Sequence, residues 1–224
     1  MKINYHFHSG VSVEAGRDLF IFDYYKQGFD TGTLTSFKNV YVFVSHNHGD
    51  HYDKVILDWA EIKSDIKYIF SDDIKIDKKY SNMFFMRAGE QLKIDEINVS
   101  TLDSTDEGVA FFVKTPDGNI FHSGDLNWWH WEGEPENYNL GMEQKFKNEI
   151  NKLSKEQLDV AFIPVDKRLD YAMYYSIDYL MTTLNVKKVC PIHFSGDEIY
   201  LKKVKEDLSD RDYYNKIDFY LGPE

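Results

Sequence analysis

Cysteine is nearly absent. The 224-residue chain holds one, Cys190, so no intrachain disulfide and no thiolate-built zinc site can form. Proline numbers only five, and neither a Pro/Gly/Ser-rich linker nor an internal repeat divides the chain, which predicts a single domain over 1–224. Basic residues are scarce: 26 Lys and Arg stand against 38 Asp and Glu, for a net charge of -12. Such a chain has no general attraction for phosphate backbones or anionic lipid, so neither nucleic acid nor membrane is an expected partner. No apolar run reaches the roughly 18–20 residues that span a bilayer. The opening MKINYHFHSG lacks the apolar core of a signal peptide, and the expected address is the cytoplasm.

What is present is a globular composition, 42% hydrophobic and 29% charged. Aromatics reach 16%, which suits a strand-rich core. Short apolar or alternating runs predict strands at Lys2–His8, Val11–Ala15, Leu19–Tyr24, Asn39–Ser45 and Ile66–Phe70. Further runs follow at Ile97–Leu102, Val109–Thr115 and Asn119–His122. Helical spacing marks Tyr52–Ile62 and Glu136–Leu153, the latter interrupted by Gly141. The last third alternates strand Val160–Val165, helix Ser176–Leu184, strand Val186–Ile192 and helix Asp197–Leu208. Strands first and βαβα units later predict an α/β protein with large mixed sheets covered by helices.

The chemistry concentrates where the apolar run NVYVFV stops. Ser45-His46-Asn47-His48-Gly49-Asp50-His51 packs three histidines and an aspartate into six residues, 46–51. Imidazole nitrogens and carboxylate oxygens hold Zn²⁺ and similar ions at about 2.0–2.2 Å. Residues two apart on an extended segment point the same way, so His46 and His48 can grip one ion. Gly49 lets the chain turn so that Asp50 and His51 face a second. Two ions roughly 3.5–4 Å apart can share a hydroxide nucleophile at neutral pH.

HNHGDH resembles the HxHxDH signature of the metallo-β-lactamase fold superfamily, and other pieces stand in the matching order. Phe121-His122-Ser123-Gly124-Asp125 resembles the strand ending in Gly-Asp, and Val189-Cys190-Pro191-Ile192-His193-Phe194 the late strand ending in a histidine. Asp23, closing LFIFD, matches an early structural aspartate. The HSG near the start, GDLNWWHW and PIHF resemble the branch of metal-dependent hydrolases related to ascorbate-6-phosphate lactonase. The resemblance implies a four-layer αββα sandwich with metals at one edge. It places His46 and His48 on a first ion, Asp50, His51 and His193 on a second, and Asp125 between them. The family's usual third histidine on the first ion is missing, because the corresponding segment reads Leu102-Asp103-Ser104-Thr105-Asp106-Glu107-Gly108. Asp106 is the expected substitute, the alternative being that it only caps the turn while the first position is weak or empty. A carboxylate there shifts preference toward Mn²⁺ or Fe²⁺, with Zn²⁺ the default.

Around this core, His8 is a candidate for orienting substrate or donating a hydrogen bond, and His6 alternates away from it. His122 is expected to pack behind the site. Trp128, Trp129, His130 and Trp131 follow Asp125, with Trp129 a candidate pocket wall and His130 a candidate proton donor to a leaving group. Lys167, within Asp166-Lys167-Arg168, could offer positive charge to an anionic substrate, and Cys190 reads as an inert core thiol. The expected activity is hydrolysis of a small ester, lactone or phosphodiester by a metal-held hydroxide oriented by Asp50 or Asp125. The rivals are iron-dependent oxidoreductase chemistry on the same scaffold, or a degenerate member that binds metal without catalysis. The implied cofactors are two divalent ions per chain and the implied partner is a small-molecule substrate, with a homo-oligomer left open.

Overall fold

The computed structural model describes residues 1–26, 29–77 and 79–220. Six strands form the first sheet: β1 (Lys2–Phe7), β2 (Gly10–Ala15), β3 (Asp18–Phe22), β4 (Asn39–Val44), β5 (Lys67–Ser71) and β6 (Met83–Met86), hydrogen-bonded in sequence order. The second sheet takes β7 (Gln91–Ile94), β8 (Ile97–Asp103), β9 (Val109–Thr115) and β10 (Gly118–His122). A 16-residue helix, α1 (Glu136–Asn151), follows and runs straight through Gly141. Next come β11 (Gln157–Leu158), β12 (Val160–Pro164), α2 (Tyr175–Thr183), β13 (Asn185–Val186), β14 (Val189–Ile192) and α3 (Glu198–Asp207). The second sheet is ordered β14-β12-β10-β9-β8-β7, and β11 pairs with β13 apart from it.

The layers follow from alternation along β4, where every second residue faces the same way. Tyr41 and Phe43 face the space between the sheets, packed with Phe20, Phe22, Phe111, Val113, Phe162 and Ile192. Val40, Val42 and Val44 face outward, onto Leu34, Ile56, Trp59 and Ile74. A strand buried on both faces reads as an unbroken apolar run, as NVYVFV does. The far face of the second sheet, with Phe112, Phe121, Ala161 and Ile163, is covered by α1 through Phe146 and Ile150, by α2 through Ile177 and Leu180, and by α3 through Leu201 and Val204. The result is the expected four-layer arrangement. The aromatic richness is used in ladders: register partners Phe20 and Tyr41 stack at 5.1 Å, and Phe22 and Phe43 at 4.6 Å.

Three expectations are corrected. The segment expected as a helix over Tyr52–Ile62 is a 3₁₀ turn at Lys54–Glu61, capped by the Asp53 carboxylate on the Val55 N–H. Only Ile56 and Trp59 in it are buried, and a spacing of three suits 3₁₀ geometry. The run Val186–Ile192 divides into β13 and β14, because Lys187 and Lys188 turn outward to Asp159 and Asp218. Two edge strands, β6 and β7, were not expected. Among the described residues no helix is long and apolar enough to cross a membrane.

Candidate metal centre

Strand direction places the site. Strands β3, β4 and β5 are parallel to each other, as are β10, β12 and β14, and β1 regains that direction by two antiparallel steps. Their C-terminal ends meet at one edge of the sandwich, the place where open α/β sheets build sites. His8 follows β1, Asp23 follows β3, His46–His51 follows β4, Asp125 follows β10, Asp166 follows β12 and His193 follows β14. The backbone leaves the strands sharply: His8, Asp23 and His193 all have positive φ, at 53°, 44° and 69°. Non-glycine residues hold that region only where the surroundings enforce it.

Asp23 is the anchor. Fully buried, its carboxylate accepts the Ser45 N–H at 2.7 Å, the Ser45 hydroxyl at 2.6 Å and the His51 Nδ1–H at 2.8 Å. It thereby ties both ends of the 45–51 loop to β3. The loop closes with the N–H groups of His51 and Tyr52 both on the His48 carbonyl, bringing the His46 and His51 rings to 4.1 Å. Behind them His122 donates from Nε2 to the Ser9 carbonyl, accepts the Gly124 N–H at Nδ1 and stacks on Phe22.

Asp125 stands between two clusters. Its Oδ1 lies 3.2 Å from His51 Nε2 and 3.4 Å from His193 Nε2, while Oδ2 lies 3.5 Å from His46 Nε2. His48 Nδ1 is 3.0 Å from His46 Nε2, and His48 Nε2 is 3.3 Å from Glu107 Oε2. His8 Nε2 is 3.4 Å from Asp50 Oδ2. Among the described residues, two groups of three offer ligand atoms within 4.8 Å of one another: His8, His51 and His193, and His46, His51 and Asp125. Donor atoms at about 2.1 Å around one ion stand about 3.4 Å apart at the corners of a tetrahedron, so these separations are those of neighbouring ligands. His8 Nε2, His51 Nε2 and Asp125 Oδ1 are buried without a hydrogen-bond partner. Buried polar atoms left bare at one point, all of them metal-ligand types, fit a divalent ion.

The remaining expected residues are placed as follows. Asp106 is exposed, with its own N–H on Ser104 Oγ; the carboxylate that faces His48 is its neighbour Glu107. Both residues are exposed, and an adjacent Asp-Glu pair gives no sign in the sequence of which carboxylate lies toward His48. Trp129 is buried, donates Nε1–H to the Asp125 carbonyl at 3.1 Å and meets the His193 ring edge-on. It backs the candidate ligand His193 and is not among the residues lining the hollow over the centre. His130 packs edge-on against Tyr171 and Tyr175, with Nε2 3.4 Å from the Tyr171 hydroxyl. Lys167 reaches Asp197 at 3.3 Å. His6 lies edge-on to Tyr24 and Phe29, away from the cluster.

A hollow of about 400 Å³ opens over the centre, lined by His8, Asp50, Asp166, Lys167, Arg168 and His193 with the 194–197 turn. A larger one, about 560 Å³ beside Lys54 and Glu61, includes none of the candidate ligands. Burial and the nearby His193 and His51 rings push His8 down to about 3. Burial also disfavours charge on His51, but Asp125 and Asp23 outweigh it and raise that group to about 9. His46 is held below its ordinary value by burial and by His51. Asp166 sits well below the carboxylate range: burial pushes it up, and the His193 and Arg168 side chains beside it prevail.

No family model and no curated protein matches the sequence. Solved structures do. Igni18, a metallo hydrolase from the hyperthermophilic archaeon Ignicoccus hospitalis, is similar with a TM-score of 0.69 at 16% identity, over 96% of this chain and 93% of that one. YhfI, a metallo-β-lactamase fold protein from Bacillus subtilis, is similar with a TM-score of 0.54 at 12% identity, over 88% of this chain and 83% of its own. This chain has the metallo-β-lactamase fold. CmlA, a diiron β-hydroxylase from Streptomyces venezuelae, is similar with a TM-score of 0.60 at 11% identity, over 94% of this chain and 51% of that one. Identities this low carry the fold; in the metallo-β-lactamase fold, function has to be argued from the site.

Proposed function

We propose that this chain is a metal-dependent hydrolase that cleaves a small ester, lactone or phosphodiester, with the lactone-like end of that range first. The observation that carries the reading is the convergence of bare, buried ligand atoms on Asp125. His46 and His48 would hold one divalent ion with Glu107 in the role first given to Asp106, and Asp50, His51 and His193 would hold the other, with Asp125 shared. Such ions supply Lewis acidity toward a carbonyl or phosphoryl oxygen and lower the pKa of water at the site.

The protein's own groups do the rest. Asp23 keeps a proton on His51 Nδ1, leaving Nε2 as the donor atom toward the centre. Asp50, half-exposed at the pocket, is the base placed to take a proton from entering water. Arg168 is clamped by Asp166, its Nε 2.9 Å from Oδ2, and lies against Trp129 and Trp131 at 5.8 and 5.7 Å. That leaves a fixed guanidinium at the mouth for an anionic portion of the substrate, a steadier anchor than Lys167. His130 could serve a bulky leaving group only through the Tyr171–Tyr175 side. The expected address remains the cytoplasm, and the partner a small molecule.

The test is elemental analysis of untagged protein, followed by a hydrolase screen of metal-free and reloaded samples. Near two equivalents of Zn or Mn with metal-dependent turnover supports the reading. Metal uptake without turnover points to the degenerate member. The likeness to a diiron β-hydroxylase and the carboxylate of Glu107 beside His48 favour one second reading, iron-dependent oxidation. Predominantly iron in the purified protein, with dioxygen consumption, would select it.

A further inference from the structure

We propose that His8 is itself a metal ligand, the third imidazole on the ion held by His51 and His193. This rests on the metal-dependent reading above and changes the role expected for His8, which was to orient substrate or donate a hydrogen bond.

The three histidines share one design. Each has its Nδ1 beside an oxygen: His51 is hydrogen-bonded to Asp23 at 2.8 Å and His8 to the Ser195 hydroxyl at 2.9 Å, while His193 stands 2.8 Å from Asp166 as an ion pair outside hydrogen-bond geometry. Metal-ligating imidazoles are held in this way, the outer nitrogen fixed by an oxygen so that the inner one points at the ion. The His8 side chain is 8% exposed, and its Nε2 is buried with no hydrogen-bond partner. A ring meant to hydrogen-bond substrate would present that nitrogen to the pocket. Here the ring sits among groups of ligand type: its centroid is 4.0 Å from that of His193 and 5.3 Å from that of His51, and Nε2 itself is 3.4 Å from Asp50 Oδ2. Ring nitrogens of His8, His51 and His193 all fall within 4.8 Å of one another.

The backbone is arranged to the same end. His8 is held in the left-handed region at φ 53°, and its carbonyl accepts the His193 N–H at 2.9 Å. The ends of β1 and β14 are thus hydrogen-bonded where both rings leave the chain. Ser195, which tethers the His8 ring, is also left-handed at φ 52°. Two strained residues and a main-chain bond position this one imidazole. The site therefore becomes lopsided: three histidines with Asp50 and Asp125 around one ion, against two histidines and carboxylates around the other.

The experiment compares ion binding by metal-free wild type, His8→Ala and His8→Asn, using Zn²⁺ and Co²⁺ against a competing chelator, with the visible Co²⁺ spectrum recorded at each equivalent. Asparagine accepts the left-handed backbone, so His8→Asn keeps the test open if His8→Ala fails to fold. The expected result is loss or weakening of one equivalent by at least the roughly 10–100-fold that loss of an outer-shell partner costs, with an altered Co²⁺ spectrum. Wild-type affinity and spectrum in either folded variant, with only KM for substrate raised, would overturn the proposal and leave the metal-dependent reading standing. A wild-type chain that takes up neither ion would overturn both.

Discussion

Asp23 Oδ2 and His51 Nδ1 lie 2.8 Å apart at a point where neither side chain has any exposed surface. One carboxylate so placed orients a candidate ligand histidine and anchors the loop that carries other candidates. In Asp23→Asn one accepting oxygen becomes an amide NH2, which only donates, so the side chain can no longer accept the Ser45 N–H, the Ser45 hydroxyl and the His51 Nδ1–H together. His51 then loses its fixed tautomer while the sheets persist. Metal affinity is expected to fall about 10–100-fold, read by chelator competition, with the circular dichroism of the wild type.

The same pair makes metal-free stability depend on pH. His51 is raised in the folded chain from 6.5 to about 9, so its stabilising contribution is complete below about 6.5 and is lost as pH rises through about 9. Bound metal requires neutral imidazole and removes this dependence. The metal-free protein should therefore melt at progressively lower temperature from pH 7 to 9.5, and the loaded protein should not. Equal pH profiles for the two forms would contradict the assignment of His51 to the metal.

Most of the residues that the fold gathers at the candidate site were legible because they lie where strands end. A buried strand announces its end by the switch from NVYVFV to SHNHGDH, and a turn at that point leaves few directions for the side chains. The same holds for Asp125 after β10 and His193 after β14. Less legible were features set by partners distant in sequence. Glu107 rather than Asp106 faces His48 because of how the 104–108 loop lies on β4, which no local pattern reveals. The tether of His8 to Ser195 joins residues 187 positions apart. In the fold, β6 and β7 escaped notice because each is a four-residue edge strand, too short for a period to show. The 3₁₀ turn at Lys54–Glu61 shares its apolar content with an α-helix and differs only in which residues end up buried.

The acidic pair can be separated by mutation. Glu107→Gln should weaken the equivalent associated with His48 by at least about 10–100-fold, since a ligand costs no less than its outer support. Asp106→Asn should leave both equivalents unchanged, since among the ion pairs of the described residues it is Glu107, equally exposed, that meets a histidine. Isothermal titration of Zn²⁺ into each metal-free variant decides; the reverse pattern would restore Asp106.

Cys190 should be silent in the native state. It is fully buried in β14, and burial holds its thiol far above the usual range, with Asp218 adding to the effect. A thiol-reactive chromophore should therefore release no more than a trace until denaturant is added, and then one equivalent per chain. Fast native labelling would show that β14 opens readily.

The tightest geometric constraint on the centre is a glycine. Gly108 has φ +70°, and a Cβ there would lie 2.0 Å from the Ser45 carbonyl oxygen and 2.5 Å from His46 Cβ. The close approach exists because the Val109 N–H donates to that carbonyl at 2.9 Å, which presses the 104–108 loop onto the start of the ligand loop. Glu107, one residue earlier, is thereby set against His48. Gly108→Ala must both adopt an unfavourable backbone and push the two loops apart, a cost of about 3 kcal/mol or more. For a domain of this size that is a drop in Tm of roughly 6–12 °C, together with weakened binding of the His46–His48 equivalent. Gly49→Ala is the control, since a Cβ at Gly49 meets nothing within 4 Å and its backbone is not left-handed. Differential scanning calorimetry of the two variants, metal-free and loaded, should show the large shift only for Gly108→Ala, and metal should rescue it less than it stabilises the wild type, because the substitution separates the groups that bind it.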